Sequence, residues 1–66
     1  MAQVHERFGN ERVDVTITAA TLADAEAERD RYKVSYSPLG YGTFFEQGRV
    51  SDDRAVISGY RYYSCD

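Results

Sequence analysis

The chain of 66 residues contains one cysteine, one proline, one methionine, one histidine and no tryptophan. A lone cysteine, Cys65, leaves no internal disulfide framework and no thiolate zinc site. One histidine, His5, sixty positions from that cysteine, makes no metal-ligand cluster. No apolar run approaches the roughly 18–20 residues of a membrane span, and no secretory signal peptide opens the chain. Large aliphatics are also scarce: six Val, two Ile and two Leu. A core this thin has to recruit the three Phe and six Tyr. At this size one domain, residues 1–66, is the expectation. With 42% hydrophobic and 14% aromatic residues, the composition is too apolar for a disordered tail.

Alternation opens the chain. Val4, Glu6 and Phe8 share one parity, Gly9-Asn10 interrupts, and Glu11 to Ala19 alternates strictly, with Val13, Val15, Ile17 and Ala19 on one side. A two-residue type II′ turn at Gly9-Asn10 predicts a hairpin pairing Val4 with Val15, Glu6 with Val13 and His5 with Asp14. The period then changes. Thr21 is placed as an N-cap with Asp24 three residues on, and Leu22 to Tyr32 reads as a helix without Gly or Pro. Its apolar sector (Leu22, Ala25, Arg29, Tyr32) is narrow, so it must lie close against a sheet.

Val34 to Ser37 reads as a short strand ended by Pro38, and Pro38 to Gly42 as a turn. Thr43 to Gln47 and Arg49 to Ser51 read as one strand broken at Gly48. Asp52-Asp53 turns the chain into a long aromatic strand, Arg54 to Cys65, with a bend placed at Gly59. The fold class expected is α+β: two layers, one helix on an antiparallel sheet of four to five strands.

No catalytic constellation accompanies these elements. His5 opposite Asp14 would have an orienting partner but no nucleophile and no pocket. Gly40-Tyr41-Gly42-Thr43 lacks the Gly-Lys-Ser/Thr ending of a phosphate loop. Cys65 reads as a small apolar residue completing the last strand, or as a thiol for an intermolecular disulfide. Tyr41 is either displayed at a loop tip as a partner anchor or folded back over the core. No catalytic residue, metal or cofactor is expected, and an enzyme is the last of the readings.

Tyr60 and Tyr62 share one face of the last strand. Aromatics on an exposed sheet stack bases, with Arg61 assisting, but such modules also need a positive field. The net charge is −3. Asp24, Glu26, Glu28 and Asp30, offset by Arg29 alone, concentrate that excess within seven residues. Two carboxylate stripes result, Asp24 with Glu28 and Glu26 with Asp30, each at the i,i+4 spacing where like charges repel. The run covers only ~9 Å at about 1.5 Å per residue. A mimic of a nucleic-acid backbone would therefore need Glu46, Asp52, Asp53 or Asp66 on the same side.

The run Val13-Asp14-Val15-Thr16-Ile17-Thr18-Ala19, the helix entry Ala20-Thr21-Leu22-Ala23-Asp24-Ala25, the turn Gly40-Tyr41-Gly42-Thr43 and the finish Gly59-Tyr60-Arg61-Tyr62-Tyr63-Ser64-Cys65-Asp66 resemble very small phage-encoded proteins. Among these are anti-CRISPR proteins that act on type I surveillance complexes. The resemblance covers element order, size and helix start over roughly residues 12 to 66, and it transfers no binding residue. It implies a non-enzymatic inhibitor that binds a host protein complex; beside it stand the expectations of a monomer rather than a homodimer, of the bacterial host cytoplasm, and of no direct contact with nucleic acid or membrane. Such proteins often occupy the complex's DNA path; a charge of −3 leaves steric blocking beside mimicry.

The leading expectation is thus a protein that binds a basic surface of a bacterial nucleic-acid-processing complex. Asp24, Glu26, Glu28, Asp30, Asp52 and Asp53 would steer it, and Tyr41, Tyr60 and Tyr62 would anchor it. The alternatives are a sheet-based single-stranded nucleic-acid binder using Tyr60 and Tyr62, and a small structural or assembly subunit.

Overall fold

A computed structural model describes residues 2–64. Cys65 and Asp66 lie outside the described residues, so the readings placed on them are not taken further. The elements are β1 (Gln3–Phe8), β2 (Val13–Ala19), α1 (Leu22–Tyr36), a 3-10 turn (Ser37–Leu39), β3 (Tyr41–Phe45), β4 (Arg49–Ser51) and β5 (Arg54–Tyr63). All strand pairs are antiparallel, in the order β1-β2-β5-β3, with β4 pairing the start of β5. One helix on a five-stranded antiparallel sheet is the α+β, two-layer arrangement that the alternation and the single helical stretch imply.

β2 and β5 form the centre because both alternate small or branched apolar residues on one parity. Val13, Val15, Ile17 and Ala19 from β2 meet Ala55 and Ile57 from β5, and all are buried. The helix closes over them with Ala25, fully buried, and Tyr32. Alanine at the contact lets the helix axis come close to the sheet. Thr21 caps the helix as expected: its Oγ1 accepts from the Asp24 amide at 3.1 Å.

The hairpin register differs from the expected one. Phe8 pairs with Val13, Glu6 with Val15, Val4 with Ile17, and His5 with Thr16 rather than Asp14. Four residues, Gly9 to Arg12, form the loop, closed by the Gly9 amide donating to the Arg12 carbonyl at 3.0 Å. A slip of two residues leaves every side chain on its own face, so hydrophobic alternation does not distinguish the two registers. Only the turn decides.

Val34 to Ser37 is not a strand. The helix continues one turn further, to Tyr36, before the 3-10 turn that contains Pro38. Tyr32 and Tyr36 stand four apart on one helical face with ring centroids 4.6 Å apart and planes tilted by 39°, and that pair packs against the sheet. Burial of the pair outweighs the extended preference of Val34, whose side chain stays exposed. The turn ends at Gly40, at φ 91°, so Tyr41 and Gly42 belong to β3 rather than to the turn.

The break at Gly48 is present as expected: β3 and β4 run along the same side of β5, separated by Glu46 to Gly48. The ladder between β2 and β5 is unbroken through Gly59, which pairs with Val15 on one side and Phe45 on the other. The strand therefore keeps its pairing where a bend was expected.

Candidate nucleic-acid interface on the open sheet face

Strand parity and register assign each side chain to a face. On the helix side, β5 contributes Arg61 beside Ala55 and Ile57. Arg61 is 6% exposed, the one buried charged residue among those described. Its Nε donates to the Tyr32 hydroxyl at 2.7 Å, and that hydroxyl donates to Glu6 Oε2 at 2.6 Å. Arg61 Nη2 also lies 3.4 Å from the same carboxylate. Aromatic rings surround the guanidinium: Tyr36 at 4.3 Å, Tyr41 at 4.8 Å and Phe8 at 5.7 Å. Burial and the bond to Glu6 hold the Tyr32 hydroxyl above its ordinary pKa, against the opposing pull of Arg61. Burial alone would depress Arg61; its bond to Tyr32 and the nearby Tyr36 and Glu6 reverse that, so it stays charged. This is an internal brace, with every partner satisfied. Arg61 is therefore on the face opposite Tyr60 and Tyr62 and does not assist stacking there. Tyr41 belongs to the same inner cluster, half-buried, edge-on to Tyr36 at 5.4 Å and to Tyr63 at 5.3 Å. Of the two roles open to it, it takes the one that covers the core.

The other face of the sheet carries no helix. Its side chains fall in cross-strand rows. One row reads Arg7, Asp14, Tyr60, Phe44 across β1, β2, β5 and β3. The next reads His5, Thr16, Ser58, with the Glu46 amide donating to the Ser58 carbonyl at 2.8 Å. A third reads Gln3, Thr18, Val56, Arg49. The aromatic rings touch in series: Phe44 to Tyr60 at 5.5 Å and Tyr60 to Tyr62 at 6.1 Å. Phe44 is 51% exposed and Tyr62 42%. Tyr62 lies flat across Gly42, where an added Cβ would come within 2.5 Å of its ring. The glycine thus gives the ring its seat.

Arginines share this face, one of them in contact with a ring. Arg12 lies 4.3 Å from the Tyr60 ring centroid and pairs with Asp14 at 3.3 Å. Arg7, Arg49 and Arg54 occupy the same face by register. Against these four arginines stand four carboxylates, Asp14 and Glu46 on the face, Asp53 beside Arg54 and Glu11 beside Arg12, so the charges balance in a chain whose total is −3. These arginines come from separate stretches of the chain, so no basic run marks them in the sequence. The one clue is parity: Arg54 and Tyr60 are six apart in one strand and must share a face.

The acidic helix is less uniform than its sequence. Glu28 pairs with Arg31, and Asp30 accepts from Arg29 Nε at 3.0 Å. Lys33 adds a third cation near the helix end. Among the described residues, Asp24 and Glu26 join no ion pair with a side chain. Asp52 and Asp53 turn the chain from β4 into β5, at the sheet end where β2 passes into the helix, because Ala19 pairs with Ala55. The described residues hold no group of three or more His, Cys, Asp or Glu able to bind a metal, and no helix long and apolar enough to cross a membrane. His5 faces solvent on β1.

Comparison with protein-family models, with curated proteins and with solved structures gives no match.

Proposed function

We propose that this protein is a non-enzymatic binding module whose open sheet face holds single-stranded nucleic acid. The observation that carries the reading is the row Phe44–Tyr60–Tyr62, three aromatic rings in contact on an uncovered sheet, with Arg12 over Tyr60 and Arg7 in the same cross-strand row. Rings of this kind stack bases whatever their identity, and Arg7 and Arg12 stand where they can contact phosphates of a strand laid on the rings. The sequence ranks this reading below a protein-binding one because it shows no basic cluster. Folding brings Arg7 and Arg12, apart in sequence, to the ring row. Fluorescence anisotropy with labelled oligonucleotides at low salt tests it: binding that weakens as salt rises is expected, and no binding at tens of micromolar overturns it.

A second reading rests on the opposite charge. Asp24 and Glu26, outside the helix ion pairs, share one end of the molecule with Asp52 and Asp53. They support an inhibitor that docks on a basic surface of a bacterial nucleic-acid-processing complex, as the likeness to phage proteins acting on type I CRISPR surveillance complexes implies. Reversing Asp24 and Glu26 to Lys should abolish capture of such a complex while leaving oligonucleotide binding in place. Undiminished capture at low salt removes the acidic end from the account.

A further inference from the structure

β1 is the outermost strand on one side of the sheet, and among the described residues no strand pairs with its outer edge. Folded proteins ordinarily keep such an edge from pairing by shortness, proline, lysine or a bulge. β1 has none of these: Gln3–Phe8 pairs with β2 without interruption and contains no Pro, Gly or Lys. The opposite edge is blunter, since β3 is shorter, holds Gly42 and gives way to the break before β4.

The phase of the ladder tells which groups the edge offers. The Gly9 amide bonds the Arg12 carbonyl, so the hydrogen-bonded rungs that follow are Arg7 with Asp14, His5 with Thr16 and Gln3 with Thr18. Val4, Glu6 and Phe8 therefore turn their N–H and C=O groups outward. Val4 and Glu6 also border a groove of about 590 Å³ beside the helix, walled by Tyr36 and Leu39. Phe8, on the same side, is 72% exposed.

A second β1, laid antiparallel about a two-fold axis, matches this edge in one register. With His5 opposite His5, Val4 meets Glu6, Gln3 meets Arg7, and Phe8 meets Ala2, a small residue packed against the core. Outward-turned residues then face outward-turned residues, so each of their rungs closes with hydrogen bonds. The Gln3 side-chain oxygen accepts from Arg7, and Phe8 gains an apolar neighbour. Sliding by two residues sets Glu6 against Glu6 in one direction and takes Phe8 off Ala2 in the other. The axis stands perpendicular to the sheet, so both helices fall on one side and both ring rows on the other. We propose that β1 is a self-pairing edge through which two copies of this chain join into one continuous antiparallel sheet, in contrast to the monomer expected from the sequence. The proposal does not depend on the nucleic-acid reading.

Sedimentation equilibrium from micromolar to millimolar concentration tests it, and the unaltered chain should reach the mass of two chains within that range. Val4→Pro removes an N–H that makes no bond to β2, so the hairpin stays, yet by symmetry two bonds between the copies are lost. Its dissociation constant should rise about tenfold or more. His5→Lys, at an exposed position, opposes two like charges at the axis and should weaken the pair in the same sense. Far-UV circular dichroism checks that both variants are folded. In a Cys65→Ser background, His5→Cys should oxidise to a linked dimer, because Cα atoms on a rung without hydrogen bonds lie about 4.5 Å apart, within disulfide reach. Gln3→Cys in the same background should not link. A single-chain mass at every concentration overturns the proposal. So does a pair that Val4→Pro and His5→Lys both leave intact, or a Gln3→Cys chain that links as readily as the His5→Cys one.

Discussion

Arg61 donates to the hydroxyl of Tyr32 across the sheet–helix boundary at 2.7 Å, and that hydroxyl passes the polarity on to Glu6 of the edge strand. Three elements distant in sequence are thereby tied at one point: β1, α1 and β5. The guanidinium fills volume that a longer chain would give to Leu or Ile, and Tyr36, Tyr41 and Phe8 provide its walls. The brace also leaves the opposite sheet face free of structural duty.

Truncating Arg61 to Ala should destabilise the fold by about 3 kcal/mol, because it removes the packing and leaves Tyr32 and Glu6 without their cation. Tyr32→Phe should cost about 1–2 kcal/mol, since the ring stays and only the hydroxyl bonds go. Urea denaturation of the two variants checks the order.

The raised pKa of Tyr32 sets an alkaline limit. Its neutral form is favoured in the folded state, so this contribution is complete below the ordinary tyrosine value of 10 and is lost as pH climbs beyond it. Stability measured from pH 8 upward should decline above about 10. Tyr32→Phe should flatten that decline, which repeated denaturation curves at each pH will show.

The helix start gives a local prediction. Replacing Thr21 by Ala removes the oxygen that accepts from the Asp24 amide and should lower stability by about 1 kcal/mol, with Thr21→Asn close to neutral. Thermal melts followed at 222 nm measure both.

On the open face, effects should separate from stability. Phe44→Ala and Tyr62→Ala should each weaken oligonucleotide binding by about 1–3 kcal/mol, with a smaller change in denaturation midpoint than Arg61→Ala because both rings are about half exposed and lie outside the core. Arg49→Ala should reduce the slope of log affinity against log salt by about 0.7 if it meets a phosphate. Gly42→Ala should behave like a mild Tyr62 variant, because the new methyl displaces the ring from its seat.

The residues themselves determined the element types wherever a period was strong. The parity of Val13 to Ala19, the cap at Thr21, the break at Gly48 and the aromatic strand from Arg54 all follow from backbone geometry and local side-chain chemistry. The acidic stretch and the rings of Tyr60 and Tyr62 were equally legible as candidates. Tertiary structure decided what local patterns leave degenerate. The hairpin slip of two residues keeps both faces intact, so only the four-residue turn selects it. The last helical turn exists because Tyr36, against Tyr32, packs toward the sheet, and that packing is invisible along the chain. Likewise Arg7, Arg12, Arg49 and Arg54 share a face only after the strands are laid side by side, whereas Arg29 and Arg31 neutralise two helix carboxylates through contacts one and three residues apart that the helix alone sets. Charge acts through distance, and the distances that matter here are set by pairing between segments far apart in sequence.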